Sequence, residues 1–330
     1  RSTLFPYTTL FRSKYLASII VSVALCFAGS FFASAQTALS EFDTINVEND
    51  FDVTLVKGSY AIALTVDSVL EPYIRAYVKG KTLYIGVDEK AIPKDIKKLY
   101  KGKNAPEKIL RAVVYVPMIN EISLKDNSSL IGTEEFATDR FSLFVGDKAV
   151  LKSLNVYSTM ANITMKKNGS ATIALRSTGD VQIESGNSSN LQINALECKD
   201  LKITASNSSQ ITTSGNSQNV AVVSDGSSVT SITTNTDVVY ITASGSSKVN
   251  VTGTASLLSV KGSRSCVIDT INLPVDEAEC DMNNGTLNLT VSKKLSVNLS
   301  SGGEVYFSGQ PEIVLKDRII KSTLAPFQGK

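Results

Sequence analysis

The sequence predicts an all-β fold: a parallel β-helix, or solenoid, with rungs of about 19–20 residues. Three observations predict it. One phrase recurs, as VQIESGNSS at 181–189, LKITASNSS at 201–209, VAVVSDGSS at 220–228 and VYITASGSS at 239–247. Its first apolar residue steps from 181 to 201, 220, 239 and then Leu258, giving spacings of 20, 19, 19 and 19. A near-constant period of that length marks a stacked repeat. Within each copy, apolar residues alternate with polar ones (Val181 and Ile183, then Leu191 and Ile193), the pattern of a short strand with one buried face. Between these runs lie Gly, Asn and Ser corners such as Gly186 to Ser189. Those residues enter tight or left-handed turns at little steric cost.

Alternatives fail on the same residues. Runs of about five residues without a 3.6-residue stripe are too short for helices. A leucine-rich repeat needs a Leu-x-x-Leu-x-Leu frame that these copies lack. Stacked coils would place equivalent residues about 4.8 Å apart, and ten of them would make a rod of just under ~50 Å. Ser, Thr and Asn in equivalent positions would form side-chain ladders along it. Ile183, Ile203, Val222 and Ile241 are expected to stack as one inward column.

Taken in order, residues 1–13 (RSTLFPYTTLFRS) read as a translated sequencing adapter and are set aside. Residues 14–35 read as a secretory signal: Lys14, the apolar run 16–32, and Ala33 and Ala35 before Gln36. Leu25 is too large to precede a lipoprotein cysteine at Cys26, so soluble export is expected, with no transmembrane span after cleavage. Residues 41–121 form an N-terminal β region with the first coils. Within it, 74–78 and 83–87 flank a Lys79-Gly80-Lys81 hairpin turn. Asp67 to Tyr73 suggests a helical turn capped by Asp67 or Ser68. From Ala91 to Arg111, six Lys and one Arg stand among few apolar residues, with Pro93 and Pro106 as breakers. This stretch reads either as a basic patch for anionic glycans or lipid A phosphates, or as a solvated excursion; surface lysines are the norm, which favours the second. Residues 122–315 are the repeat array, with looser copies starting near Ile122, Phe141, Ile163, Cys280 and Leu295. Residues 316–330 are read as a C-terminal cap and tail.

Several of these segments together resemble a known family. They are FDTINV at 42–47 with FDVTL at 51–55, the Leu83, Tyr84, Ile85 strand, VYVP at 114–117, and the coils bearing Asn-Ser-Ser or Gly-Ser-Ser. The chain resembles the putative auto-transporter adhesin, head GIN domain family of exported bacterial envelope proteins, over roughly residues 41–315. The resemblance implies a right-handed parallel β-helix and an adhesin role. It brings no catalytic residues to transfer.

Composition excludes much chemistry. The chain has no His and no Trp. Triads built on His, and His-ligated metals, are therefore impossible. No Ser-x-x-Lys pair or Gly-x-Ser-x-Gly elbow occurs. Beyond residue 35 there are 30 basic and 31 acidic residues, which leaves no electrostatic footprint for nucleic acid. Carboxylates remain. Asp180 and Asp200 precede equivalent strands one rung apart, with Asn219 next, a spacing open to a retaining carboxylate pair or a calcium site. The alternative is that Asp and Asn occupy corners because their side chains bond local backbone, and this is favoured, as it is for Asp225. Three cysteines follow residue 35 (Cys198, Cys266 and Cys280); their odd number and spacing favour at least one buried thiol. No catalytic, cofactor-binding or metal-binding residue is assigned, and no cofactor.

The functional expectation is a non-enzymatic, adhesin-like protein of the periplasm, outer-membrane surface or exterior. It would bind a cell-surface glycan or protein through the side of its rod, by outward residues such as Gln182, Lys202 and Tyr240, or Gln192 and Asn194. The alternatives are a polysaccharide hydrolase or lyase using a carboxylate cluster, and a periplasmic structural scaffold.

Overall fold

Alternation with a period of two gives every strand an apolar and a polar face, and a chain of such strands can hide the apolar faces by coiling around them. In the computed structural model, which describes residues 36–316 and 321–329, the chain does so as a β-solenoid of about 11 turns. Each turn places one strand on a front face and one on a back face, joined by a corner on one side and, on the other, by a strand that runs through, as in Asn190–Ala205, or breaks at a short bend, as between Ser177 and Val181.

On the front face Val181 pairs with Leu201, Leu201 with Val220, Val220 with Val239, and Val239 with Leu258, all parallel. Ile183, Ile203, Val222 and Ile241 form the next column inward, none more than 2% exposed. The expected stack is therefore present. Three looser copies are out of step with the expected starts: Ile122 pairs with Leu143 rather than Phe141, so its rung begins two residues earlier, at Asn120. Ala161 pairs with Val181, and Leu258 with Ala278, so those rungs begin two residues before Ile163 and Cys280. The parity was right; asparagine at 120 and alanine at 161 and 278 concealed the starts.

The corners after the front strands explain the Asn-Ser-Ser wording. Paired positive φ values occur at Asp126 and Asn127, Asp147 and Lys148, Lys167 and Asn168, Asn187 and Ser188, and Asn207 and Ser208. Asn and Asp tolerate this left-handed region better than most residues. The second turn residue donates its N–H to the next rung, as Ser188 does to the Asn207 carbonyl at 3.0 Å. The serine that follows turns inward. Ser128, Ser209, Ser228 and Ser247 are fully buried, and each hydroxyl donates to a carbonyl of the preceding rung at 3.0–3.3 Å. These four buried corner hydroxyls are thus satisfied by the stacking itself.

At the N-terminal end the parallel pattern stops. Ile74–Lys79 pairs antiparallel with Thr82–Val87, which lies beside the first front strand, Thr44–Val47. Ala61–Val66 pairs antiparallel with Leu110–Val116, and Thr37–Ala38 with Ala61–Val66. The hairpin at Gly80 (φ +64°) is as expected. The turn near Asp67 differs: a short 3₁₀ helix spans Glu71–Tyr73 without a side-chain cap. Asp67 instead accepts bonds from the Tyr100 hydroxyl (2.9 Å) and the Ile109 N–H (3.1 Å). At the other end Thr323–Pro326 pairs in parallel with Glu304–Ser308. Among the described residues no helix is long and apolar enough to cross a membrane. The expectations for residues 1–35 lie outside the described residues.

Candidate binding site

The polar parity of the front strands faces solvent in columns. One column runs Asn162, Gln182, Lys202, Ala221, Tyr240 and Ser259. Beside it, Asp200 pairs with Asn219 and Asn219 with Val238, and Asp180 is one rung above Asp200. On the other side Thr204 precedes Val223 and Thr242. Ala221 is the smallest side chain in its column, and its neighbours rise around it. The result is a shallow cleft of about 440 Å³ lined by Asp180, Gln182, Asp200, Lys202, Asn219, Ala221 and Tyr240. The Tyr240 ring is half exposed, and Val223 beside the notch is 41% exposed. Lys202 and Tyr240 are two rungs apart, roughly 10 Å.

The sequence-derived residues Asp180, Asp200, Gln182, Lys202 and Tyr240 thus share one site, whereas Gln192 and Asn194 lie on the back face. There the Gln192 amide donates to Asn194 at 3.1 Å. Within the cleft the Asn219 amide donates to Asp200 Oδ1 at 2.6 Å, so this carboxylate is already tied into its column. Two carboxylates and an amide fall short of the six to eight oxygens a calcium ion takes. Among the described residues, no three Cys, Asp or Glu side chains are grouped to hold a metal ion.

Cys198, half-buried near the cleft, is pushed up to about 12 by burial first and then by Asp200 and Asp180. Such a thiol is protonated at neutral pH and is a poor nucleophile. Burial pushes Cys280 up to about 12 and also raises Cys266; all three thiols are free. Asp225 behaves as a turn residue. It accepts the Ser244 hydroxyl at 2.7 Å, and that bond, with the Gly226 N–H, holds its carboxyl below the usual range.

A second cavity, of about 630 Å³, was not foreseen. It lies near the C-terminal end between Asn288, Tyr306, Ala325 and Phe327. The only signal for it was the outward parity of Tyr306, near the end of the repeat array. Its hydrogen-bonding groups are partly committed: the Tyr306 and Thr286 hydroxyls both donate to Glu304, at 3.3 and 3.4 Å. In the front cleft Asn219 and Asp200 are bonded to each other, and the ring of Tyr240 stands open with the Lys202 ammonium, the Gln182 amide and the Asp180 carboxylate in the same lining. That combination offers one apolar plate with a few directional polar groups, the make-up of a site that orients a small polar ligand.

A family model described as "Putative auto-transporter adhesin, head GIN domain" matches residues 41–152, 144–234 and 216–311. No curated protein matches the chain. Among solved structures, it is similar to a putative adhesin from Parabacteroides merdae ATCC 43184, with 14% identity, a TM-score of 0.34, and coverage of 89% of this chain and 95% of that one. A putative adhesin from Bacteroides fragilis NCTC 9343 shows 13% identity and a TM-score of 0.33, covering 88% and 92%. One from Parabacteroides distasonis ATCC 8503 shows 17% identity and a TM-score of 0.39, covering 88% and 95%.

Proposed function

This chain belongs to the putative auto-transporter adhesin, head GIN domain family, and from that membership we propose that it is an exported, non-enzymatic, adhesin-like protein that binds a surface saccharide along its front face. The observation that carries the reading is the half-exposed Tyr240 ring bordering the Ala221 notch. A tyrosine offers a large, rigid, amphipathic surface at low entropic cost. The apolar face of a sugar ring would lie on it, while Asn219, Asp180, Gln182 and Lys202 would meet its hydroxyls. The columns above and below are mostly neutral and polar, so further sugar units would find weak sites on neighbouring rungs, and their sum would set the affinity.

The test is a screen of cell-surface glycans against the purified protein, followed by Tyr240→Ala and by Ala221→Lys, which fills the notch. Each substitution is expected to weaken binding about tenfold or more, the equivalent of ~1.4 kcal/mol. Unchanged affinity in both variants would remove the site from this face. The paired carboxylates support a second reading, hydrolysis or lysis of a polysaccharide. Turnover that disappears in Asp180→Asn with Asp200→Asn would install that reading in place of simple binding.

A further inference from the structure

Between Val87 and Leu110 the chain leaves the rod and returns, carrying seven lysines against Asp88, Glu89, Asp95 and Glu107. Residues 90–103 hold six lysines and one acid, Asp95. The rest of the chain from residue 36 holds 24 basic and 30 acidic side chains. The excursion is therefore a local basic patch, on an end of the rod whose residues 36–121 balance at 12 basic and 12 acidic side chains.

The excursion is built, not loose. A short helix spans Lys94–Leu99. Ile96 and Tyr100, four residues apart and so on one side of it, pack with Ile92 against the core. The Tyr100 hydroxyl and the Ile109 N–H both donate to Asp67, tying the excursion to the N-terminal cap at two points. With Ile96 and Tyr100 facing inward, the other side of the helix is left to lysine. Among the described residues, Lys90, Lys94, Lys97, Lys98, Lys101 and Lys103 enter no ion pair, whereas Lys108 pairs with Asp50 at 2.7 Å. Amid them Leu99 is 54% exposed, and Val69 and Ile109, on segments joined through Asp67, are 42% and 38% exposed.

We propose that this lysine and leucine cap docks the N-terminal end of the rod on an anionic lipid surface. Unpaired lysines are drawn to a negatively charged leaflet, and exposed leucine, valine and isoleucine enter the boundary between headgroup and acyl chain. A soluble polyanion would use the lysines but give the apolar side chains nothing to enter, which favours lipid. Docked this way, the rod holds the Tyr240 cleft away from the surface. Seven rung spacings along the front face separate it from Thr44–Val47, roughly 34 Å.

The test is co-sedimentation of the purified protein with vesicles of phosphatidylcholine, alone or with about one third phosphatidylglycerol. Binding is expected only to the anionic vesicles. Each lysine near such a surface contributes about fivefold in partitioning. The combined Lys94→Gln, Lys97→Gln, Lys98→Gln and Lys101→Gln variant should therefore lose more than about a hundredfold. Lys166→Gln, Lys199→Gln, Lys248→Gln and Lys261→Gln together change net charge equally and should lose little. Leu99→Ser should weaken binding severalfold at unchanged charge. Equal binding to neutral vesicles, equal losses in the two four-lysine variants, or an unaffected Leu99→Ser with dextran sulfate bound as tightly as vesicles would each overturn the proposal.

Discussion

Replacing Gly253 by alanine should damage the rod far more than the same change at Gly80, and the difference can be worked from the geometry. Gly80 has φ +64° and nothing within 4 Å of where a Cβ would stand, so Gly80→Ala carries only the left-handed backbone cost, about 1 kcal/mol. Gly253 has φ +122°, and its Cβ would lie 1.8 Å from the Thr234 carbonyl oxygen and 2.7 Å from its carbon. Both atoms are backbone in the adjoining rung, where Thr234 pairs with Gly253. Nothing flexible can move aside. The conformational cost at such an angle is roughly 2–3 kcal/mol, and relieving the clash separates the rungs and sacrifices one or two ladder bonds at about 1 kcal/mol each. Gly253→Ala should therefore cost about 4 kcal/mol. In a stacked array the damage should concentrate in neighbouring rungs. Urea unfolding followed by circular dichroism reads the total, and amide exchange over 229–254 reads the location. If the two variants differ by less than about 1 kcal/mol, or the loosened amides are spread evenly along the rod, the steric argument is wrong.

Two other predictions concern the interior. Ser209→Ala removes a hydroxyl that donates to the Ser185 carbonyl at 3.0 Å and accepts the Ser206 N–H at 3.2 Å. Alanine and glycine fill the same corner at Ala149 and Gly169, so the expected loss is only about 1 kcal/mol by urea titration. Cys198 and Cys280, both pushed up to about 12, should resist iodoacetamide at about pH 8 until the protein is unfolded. With folded values above the unfolded ones, the stability these thiols protect is complete below about pH 8.5 and declines as pH rises from there toward 12. Prompt alkylation of the folded protein would contradict this.

How much was legible in the sequence follows from which residues are constrained by neighbours along the rod. Ile183, Ile203 and Val222 must be apolar because each is walled in above and below, so period and parity could be read without coordinates. Ala161 and Ala278 satisfy the same constraint with less volume, and the first residue of those rungs was misplaced by two. The antiparallel strands Ala61–Val66 and Ile74–Lys79 have no counterpart in the repeat. The alternation of Ile62, Leu64 and Val66 marks the first as a strand, but only the second had its direction announced, by a glycine hairpin.

The site was legible in its members but not in its shape, and the reason is physical. An outward residue on a solenoid is constrained by the rungs on either side only through ladder contacts such as Asn219 to Asp200, so its identity records little about where it must stand. Asp180 and Asp200 stood out as a repeated acid. In the structure, however, the decisive residue is Ala221, whose small side chain turns a flat column into a notch between Lys202 and Tyr240. An alanine in a polar column carries no chemical signature. Its meaning is negative volume, and that appears only when the register places a lysine one rung before it and a tyrosine one rung after. The lysines of 90–103 pose the opposite case. Their charge was plain in the sequence, yet a basic run reads more readily as a solvated excursion. What separates the two readings is that Ile96 and Tyr100 pin the helix to the cap and Asp67 holds it there. Along this rod the chemistry of a surface residue is thus written in its own letter, while its use is written in the side chains beneath and beside it.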